Sequence, residues 1–162
     1  MVLGDSLSAG YGLKDGESWV VLLNDKLKSL SPEHHVVNAS ISGDTTANGL
    51  TRLSPALARY KPDVIIIELG GNDGLRGTPL GVIEKNLGAL ITRSQKTGAQ
   101  VVLAGMRILP NYGPLYTEGF HGLYAKLAEK HDAALVPFLL DGIGGRAELM
   151  QADGIHPKAE AQ

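Results

Sequence analysis

The sequence predicts a three-layer α/β/α fold, doubly wound around a five-stranded parallel sheet in the order 2-1-3-4-5. Three observations carry that prediction. Short apolar runs rich in β-branched residues alternate with stretches whose apolar residues recur every three or four positions. The clearest run, Asp63-Val64-Ile65-Ile66-Ile67-Glu68-Leu69, is almost continuously apolar, as suits a strand buried on both faces of a parallel sheet. Small and polar residues collect just after the runs, at the edge where open α/β sheets bind ligands.

The elements follow in order. Met1 to Leu3 is the end of a first strand, and Gly4 lets the chain turn into Asp5 and Ser6. Trp19, Leu22, Leu23, Leu27 and Leu30 keep helical spacing up to Ser31-Pro32, with Trp19 facing the core. Val36-Val37 is a short second strand. Leu50, Leu53 and Leu57 mark a helical stretch that Pro55 is expected to break, with Ser54 capping a second short helix. The Asp63–Leu69 strand follows Pro62. Leu80, Ile83, Leu87, Leu90 and Ile91 trace the next helix, Val101 to Ala104 a strand, Phe120, Leu123, Tyr124 and Leu127 another helix, and Ala134 to Val136 the fifth strand.

The 162 residues suit one domain, 1–162, with a real core. The short first strand and the end at Ala161-Gln162 suggest that both ends are clipped. Hydrophobic residues make up 43% and charged residues 20%, as in an ordinary globular protein. A net charge of -2 without a basic run argues against nucleic acid, and no apolar stretch is long enough to span a membrane. The absence of cysteine excludes disulfides, thiolate metal sites and a cysteine nucleophile.

Ser6 stands at the carboxyl edge of the first strand, where a serine becomes a nucleophile if a base reaches it. Asp5 or Ser6 could equally cap the following helix. Asp153-Gly154-Ile155-His156 supplies the base: a carboxylate three residues before an imidazole can fix its tautomer and stabilise the imidazolium. The bland alternative is a turn aspartate beside a surface histidine. His34 and His35 sit in a loop, and His121 and His131 are read as surface residues. No histidine pair has the i,i+4 spacing of a helical zinc site. Acyl transfer also needs donors for the oxyanion. Gly43, at a loop bend, offers a bare N–H, and Asn72, between Gly71 and Asp73, offers a side-chain amide. Either could be a simple turn residue.

Taken in order, Gly4-Asp5-Ser6-Leu7, the glycine of Ile41-Ser42-Gly43-Asp44, the asparagine of Gly70-Gly71-Asn72-Asp73 and the closing Asp153-x-x-His156 resemble the four blocks of the SGNH (GDSL) hydrolase family. Longer stretches, including Gly4 to Tyr11, Val37 to Thr45, Glu68 to Gly77 and Met150 to Pro157, are similar to its bacterial thioesterase I/lysophospholipase L1/arylesterase branch. The resemblance implies Ser6 as nucleophile, His156 as general base and Asp153 as its orienting acid. It implies an oxyanion hole of the Ser6 N–H, the Gly43 N–H and the Asn72 side chain. It further implies a monomer that takes a small acyl ester or thioester, needs no cofactor or metal, does not insert in a membrane, and works in the periplasm or outside the cell. Family members have a fuller first strand and a terminal helix after the histidine.

Two other motifs compete. Ser8 stands where the Gly-x-Ser-x-Gly elbow needs glycine. Gly142-Ile143-Gly144-Gly145-Arg146-Ala147 fits a dinucleotide fingerprint but leaves no room for the ribose-binding acid, so it reads as a loop. Asp5, Leu7, Leu75, Ile108, Leu109, Pro110, Tyr112 and Ile155 are expected around the substrate, and Leu75, Ile108, Leu109, Pro110 and Tyr112 among them favour an acyl group. A carbohydrate O-acetylesterase on the same scaffold, and a non-catalytic flavodoxin-like binding module, stand as alternatives.

Overall fold

A computed structural model describes all residues from Met1 to Gln162. Its centre is a four-stranded, all-parallel sheet of β1 (Val2–Gly4), β2 (Val64–Glu68), β3 (Gln100–Ala104) and β4 (Ala134–Val136), neighbours in that order. Val2 aligns with Ile66, Ile66 with Val102, and Val102 with Ala134. The helices are α1 (Ser6–Ala9), α2 (Trp19–Leu30), α3 (Thr46–Tyr60), α4 (Gly71–Leu75), α5 (Leu80–Gln95) and α6 (Pro114–His131).

The sheet has four strands, not the five expected. The segment at Val36-Val37 makes only a single parallel bridge, Val2 to Asn38. The Val2 N–H donates to Val37 O at 2.8 Å and Ala39 N–H to Val2 O at 2.8 Å, so this segment follows the edge of β1 that faces away from β2. Two apolar residues between His35 and Asn38 are too few to carry a ladder.

The core lies between the sheet and α3, α5 and α6. Leu53, Ile65, Ile67, Ile83, Leu87, Leu90, Leu103 and Phe120 are fully buried there. The apolar spacing read for α5 and α6 is the face that packs: Ile83, Leu87, Leu90 and Ile91 on α5, and Phe120, Leu123, Tyr124 and Leu127 on α6. The expectation that β2 is buried on both faces is corrected: Ile65 and Ile67 are buried, but Ile66 is half-buried and Val64 is 41% exposed. On that second face α2 buries only Val20, and Trp19 is half-buried rather than in the core.

Pro55 does not break its helix. α3 runs unbroken from Thr46 to Tyr60 with Pro55 inside. Pro55 and Thr51, whose carbonyl loses its helical donor, lie on the exposed side, while Leu53 and Leu57 are buried on the other. Burying leucine side chains is worth about 1.5–3 kcal/mol each, enough to offset a kink cost of about 3 kcal/mol. No helix is long and apolar enough to cross a membrane.

Candidate active site

The turn after β1 is built for close approach. Gly4 has no room for a side chain: a Cβ there would lie 2.5 Å from Glu68 Oε2 and 2.6 Å from Ser8 Oγ. Asp5 caps α1, its Oδ1 accepting the Leu7 N–H at 3.1 Å. Ser6 is the first residue of that helical turn, so its own N–H has no helical acceptor.

The histidine arrives from the far end of the chain. Met150 and Pro157 form an antiparallel bridge, and Gln151 N–H donates to His156 O at 2.7 Å. The Gln151 amide donates to Tyr11 O at 2.9 Å, which pins this loop to the residues just after α1. The Tyr11 ring lies 4.6 Å from that of His156, centroid to centroid. Asp153 Oδ1 accepts the backbone N–H groups of Ile155 and His156, and its Oδ2 lies 2.7 Å from His156 Nδ1. With that Nδ1 proton given to Asp153, Nε2 is left as acceptor for the Ser6 hydroxyl, 2.7 Å away. Partial desolvation opposes ionisation of Asp153, but the His156 and Ile155 N–H groups and the imidazole outweigh it and hold its carboxyl down to about 2.

Gly43 sits at φ +84°, a left-handed conformation that favours glycine, and its N–H carries no protein acceptor. Asn72 lies on α4; its amide donates to Asp5 Oδ2 at 3.1 Å and to Asp44 O at 2.9 Å. Asp73 next to it accepts the Thr46 N–H and hydroxyl, at 2.8 and 2.7 Å, and so fastens α4 to the start of α3.

A groove of about 370 Å³ opens beside this constellation, with ten hydrophobic residues among the seventeen that line it. Leu7, Leu75, Ile108, Leu109, Pro110 and Ile155 are among the residues that line it. Two expected contacts are corrected. Asp5 is 2% exposed and spends its carboxylate on Leu7 and Asn72, so it serves the turn instead of a ligand. Tyr112 does not line the groove; its hydroxyl donates to Leu75 O at 2.6 Å and holds one wall. His121, read as a surface residue, is half-buried behind the groove, with Nδ1 3.1 Å from Met106 O and Nε2 3.3 Å from Arg107.

Sequence reasoning missed Arg52. From α3 its guanidinium donates to Asp44 Oδ2 at 2.5 Å, to Gly4 O at 3.1 Å and to Ala39 O. It thereby ties the serine turn to the loop that carries Gly43. Its partners lie 8, 48 and 13 residues away, so no local spacing marks it. No three His, Asp or Glu side chains converge as metal ligands.

A serine hydroxyl on an imidazole that is held by a carboxylate, at the carboxyl edge of a parallel sheet and beside an apolar groove, defines a serine hydrolase. Residues 2–162 match the model of the GDSL-like lipase/acylhydrolase family, and the chain belongs to that family as an ester-hydrolysing enzyme. It is 49% identical over 162 residues to esterase TesA of Pseudomonas aeruginosa, covering all of this chain and 81% of that protein. It is 43% identical to thioesterase 1/protease 1/lysophospholipase L1 of Escherichia coli, again over all of this chain and 76% of that one. The crystal structure of the psychrotrophic esterase EstA from Pseudoalteromonas sp., inhibited by monoethylphosphonate, superposes with a TM-score of 0.94 at 43% identity, covering 99% of this chain and 88% of that one.

Proposed function

We propose that the chain cleaves carboxylic esters and thioesters of acyl chains through an acyl-enzyme on Ser6. The observation that carries this reading is the continuous line from Ser6 Oγ to His156 Nε2 and from His156 Nδ1 to Asp153, each step 2.7 Å, at the mouth of an apolar groove. His156 takes the hydroxyl proton as Ser6 attacks the carbonyl carbon. Asp153, held ionised, stabilises the imidazolium that results. The proton then passes to the leaving oxygen or sulfur, and a water activated by the same imidazole releases the acid.

The oxyanion that forms is met by the Ser6 N–H, the Gly43 N–H and the Asn72 amide. The first two are free of protein acceptors. Asn72 turns one hydrogen from Asp5 or Asp44 to the substrate oxygen as charge develops on it. The groove walls Leu75, Ile108, Leu109 and Pro110 favour an acyl chain over a sugar, which would need stacking aromatics and polar walls. A series of p-nitrophenyl esters and thioesters of increasing chain length tests this. The reading expects kcat/KM to rise with chain length until the groove is filled; a preference for acetate on a sugar would point to the carbohydrate O-acetylesterase alternative.

A further inference from the structure

Glu68, the last residue of β2, is fully buried behind the serine turn and takes no part in the mechanism above. Its Oε2 accepts the Ser8 hydroxyl at 2.5 Å and the Asp5 N–H at 3.1 Å. Its Oε1 is buried with no donor within reach. The Asp5 carboxyl adjoins it closely enough for a hydrogen bond between the two side chains. No lysine or arginine touches either carboxyl. The remaining titratable groups that face the pair are the Tyr124 phenol from α6 and, across Asp5, His156; Asp73 from α4 lies on the far side of Tyr124. Two ionised carboxylates buried together without a cation would cost many kcal/mol, so one must keep its proton.

We propose that Glu68 is a positioning residue that works as the neutral acid: Oε1–H donates to the Asp5 carboxylate, which in turn holds the Asn72 amide, while Oε2 anchors the Ser6 turn. Asp5 is the member of the pair that ionises, because each of its oxygens has a donor, the Leu7 N–H on Oδ1 and the Asn72 amide on Oδ2, whereas both donors to Glu68 fall on Oε2 and Oε1 has none. Burial, followed by the Asp5 charge, pushes the Glu68 carboxyl well above its ordinary 4.5. Burial likewise lifts Asp5, to about 6, against the Leu7 N–H and the other groups that favour its charge. The consequence for catalysis is electrostatic. A neutral Glu68 leaves one negative charge behind the oxyanion donors instead of two, and it fixes the carboxylate against which Asn72 is aimed. This rests on Ser6 and Asn72 acting as described under the proposed function.

The sign of the pH effect follows. In the unfolded chain Glu68 ionises near 4.5, whereas in the folded protein it stays protonated to higher pH. Stability from this group is therefore complete below 4.5 and is lost as pH rises toward the folded value. Three measurements on the whole chain test the proposal. Infrared spectroscopy at neutral pH should show a protonated-carboxyl C=O band in the wild type and in Ser6→Ala, but not in Glu68→Gln. Glu68→Gln, which keeps a neutral donor of the same shape, should rescue turnover, and its melting temperature should pull ahead of the wild type as pH rises above about 4.5. Glu68→Leu, without donor or acceptor, should lose roughly 10²-fold in kcat with KM little changed, the usual cost of misplacing a catalytic group. An infrared spectrum without the band, or a Glu68→Gln as inactive as Glu68→Leu, would overturn the neutral-acid assignment. Full activity in Glu68→Leu would overturn the positioning role. Because the infrared band is read in Ser6→Ala as well, it stands apart from the serine mechanism, whose own failure would appear as turnover in Ser6→Ala.

Discussion

In the resting site the Asn72 amide is already engaged with Asp5 and with the carbonyl of Asp44. A donor so placed is pre-aimed but contributes to rate only when a stronger acceptor, the oxyanion, draws one hydrogen away. Asn72→Ala should therefore lower kcat by roughly 10²–10³ with little change in KM. Asn72→Asp should be worse, because it sets a carboxylate against Asp5, the Asp44 carbonyl and the developing charge together. Steady-state kinetics with a thermal melt for each variant checks this; an active Asn72→Asp enzyme would take Asn72 out of the oxyanion hole. At this scale the sequence was legible wherever chemistry demands a residue type in a fixed local pattern. Ser6, Gly43, Asn72, Asp153 and His156 all come to one edge of the sheet. Arg52 and Glu68 were not legible as parts of the site, because their partners are distant in sequence and nothing local distinguishes them from a helix arginine and a strand-end acid. Asp5 was misassigned for the related reason that a buried cap and an exposed ligand look alike in a loop.

Among the elements, α3 does more than cover the sheet. Its first turn takes Asp73 at Thr46, and its Arg52 reaches Asp44, Gly4 and Ala39. Truncating Arg52 leaves the largely buried Asp44 carboxylate and the Gly4 carbonyl short of donors. Arg52→Ala should cost about 1–3 kcal/mol of stability and should also lower kcat, because the Gly43 loop loses its tie to the serine turn. Arg52→Lys, a single ammonium on a flexible stem, cannot span the three acceptors and should not restore either property. Calorimetry and kinetics on both variants test this, and an Arg52→Lys protein equal to wild type would show that charge alone suffices. Helix periodicity located α5 and α6 well, since their apolar stripes are the buried faces. It misjudged α3 at Pro55, where burial of Leu53 and Leu57 overrides the proline, and β2, where β-branched character was taken as burial on both faces although Val64 and Ile66 sit on the thinly covered one.

For the whole molecule, pH reads the balance of its carboxyls. Asp153 is held down to about 2 in the folded protein, against 3.8 without the fold. The stability it contributes is therefore present above 3.8 and lost as pH falls toward 2. Its side chain is 36% exposed, so solvent screening keeps the effect small. Melting curves from pH 5 down to about 2 should show the wild type losing a small advantage that Asp153→Asn never has; parallel curves would mean that the Asp153–His156 contact adds nothing to folding. The central claim, that Ser6 is the acylated nucleophile activated by His156, is tested most directly by labelling with a fluorophosphonate, followed by mass spectrometry of the modified peptide. The account predicts stoichiometric adduct on Ser6 in the wild type, none in Ser6→Ala, and greatly slowed labelling in His156→Ala. Adduct on another residue, or unchanged labelling and turnover in Ser6→Ala, would contradict it.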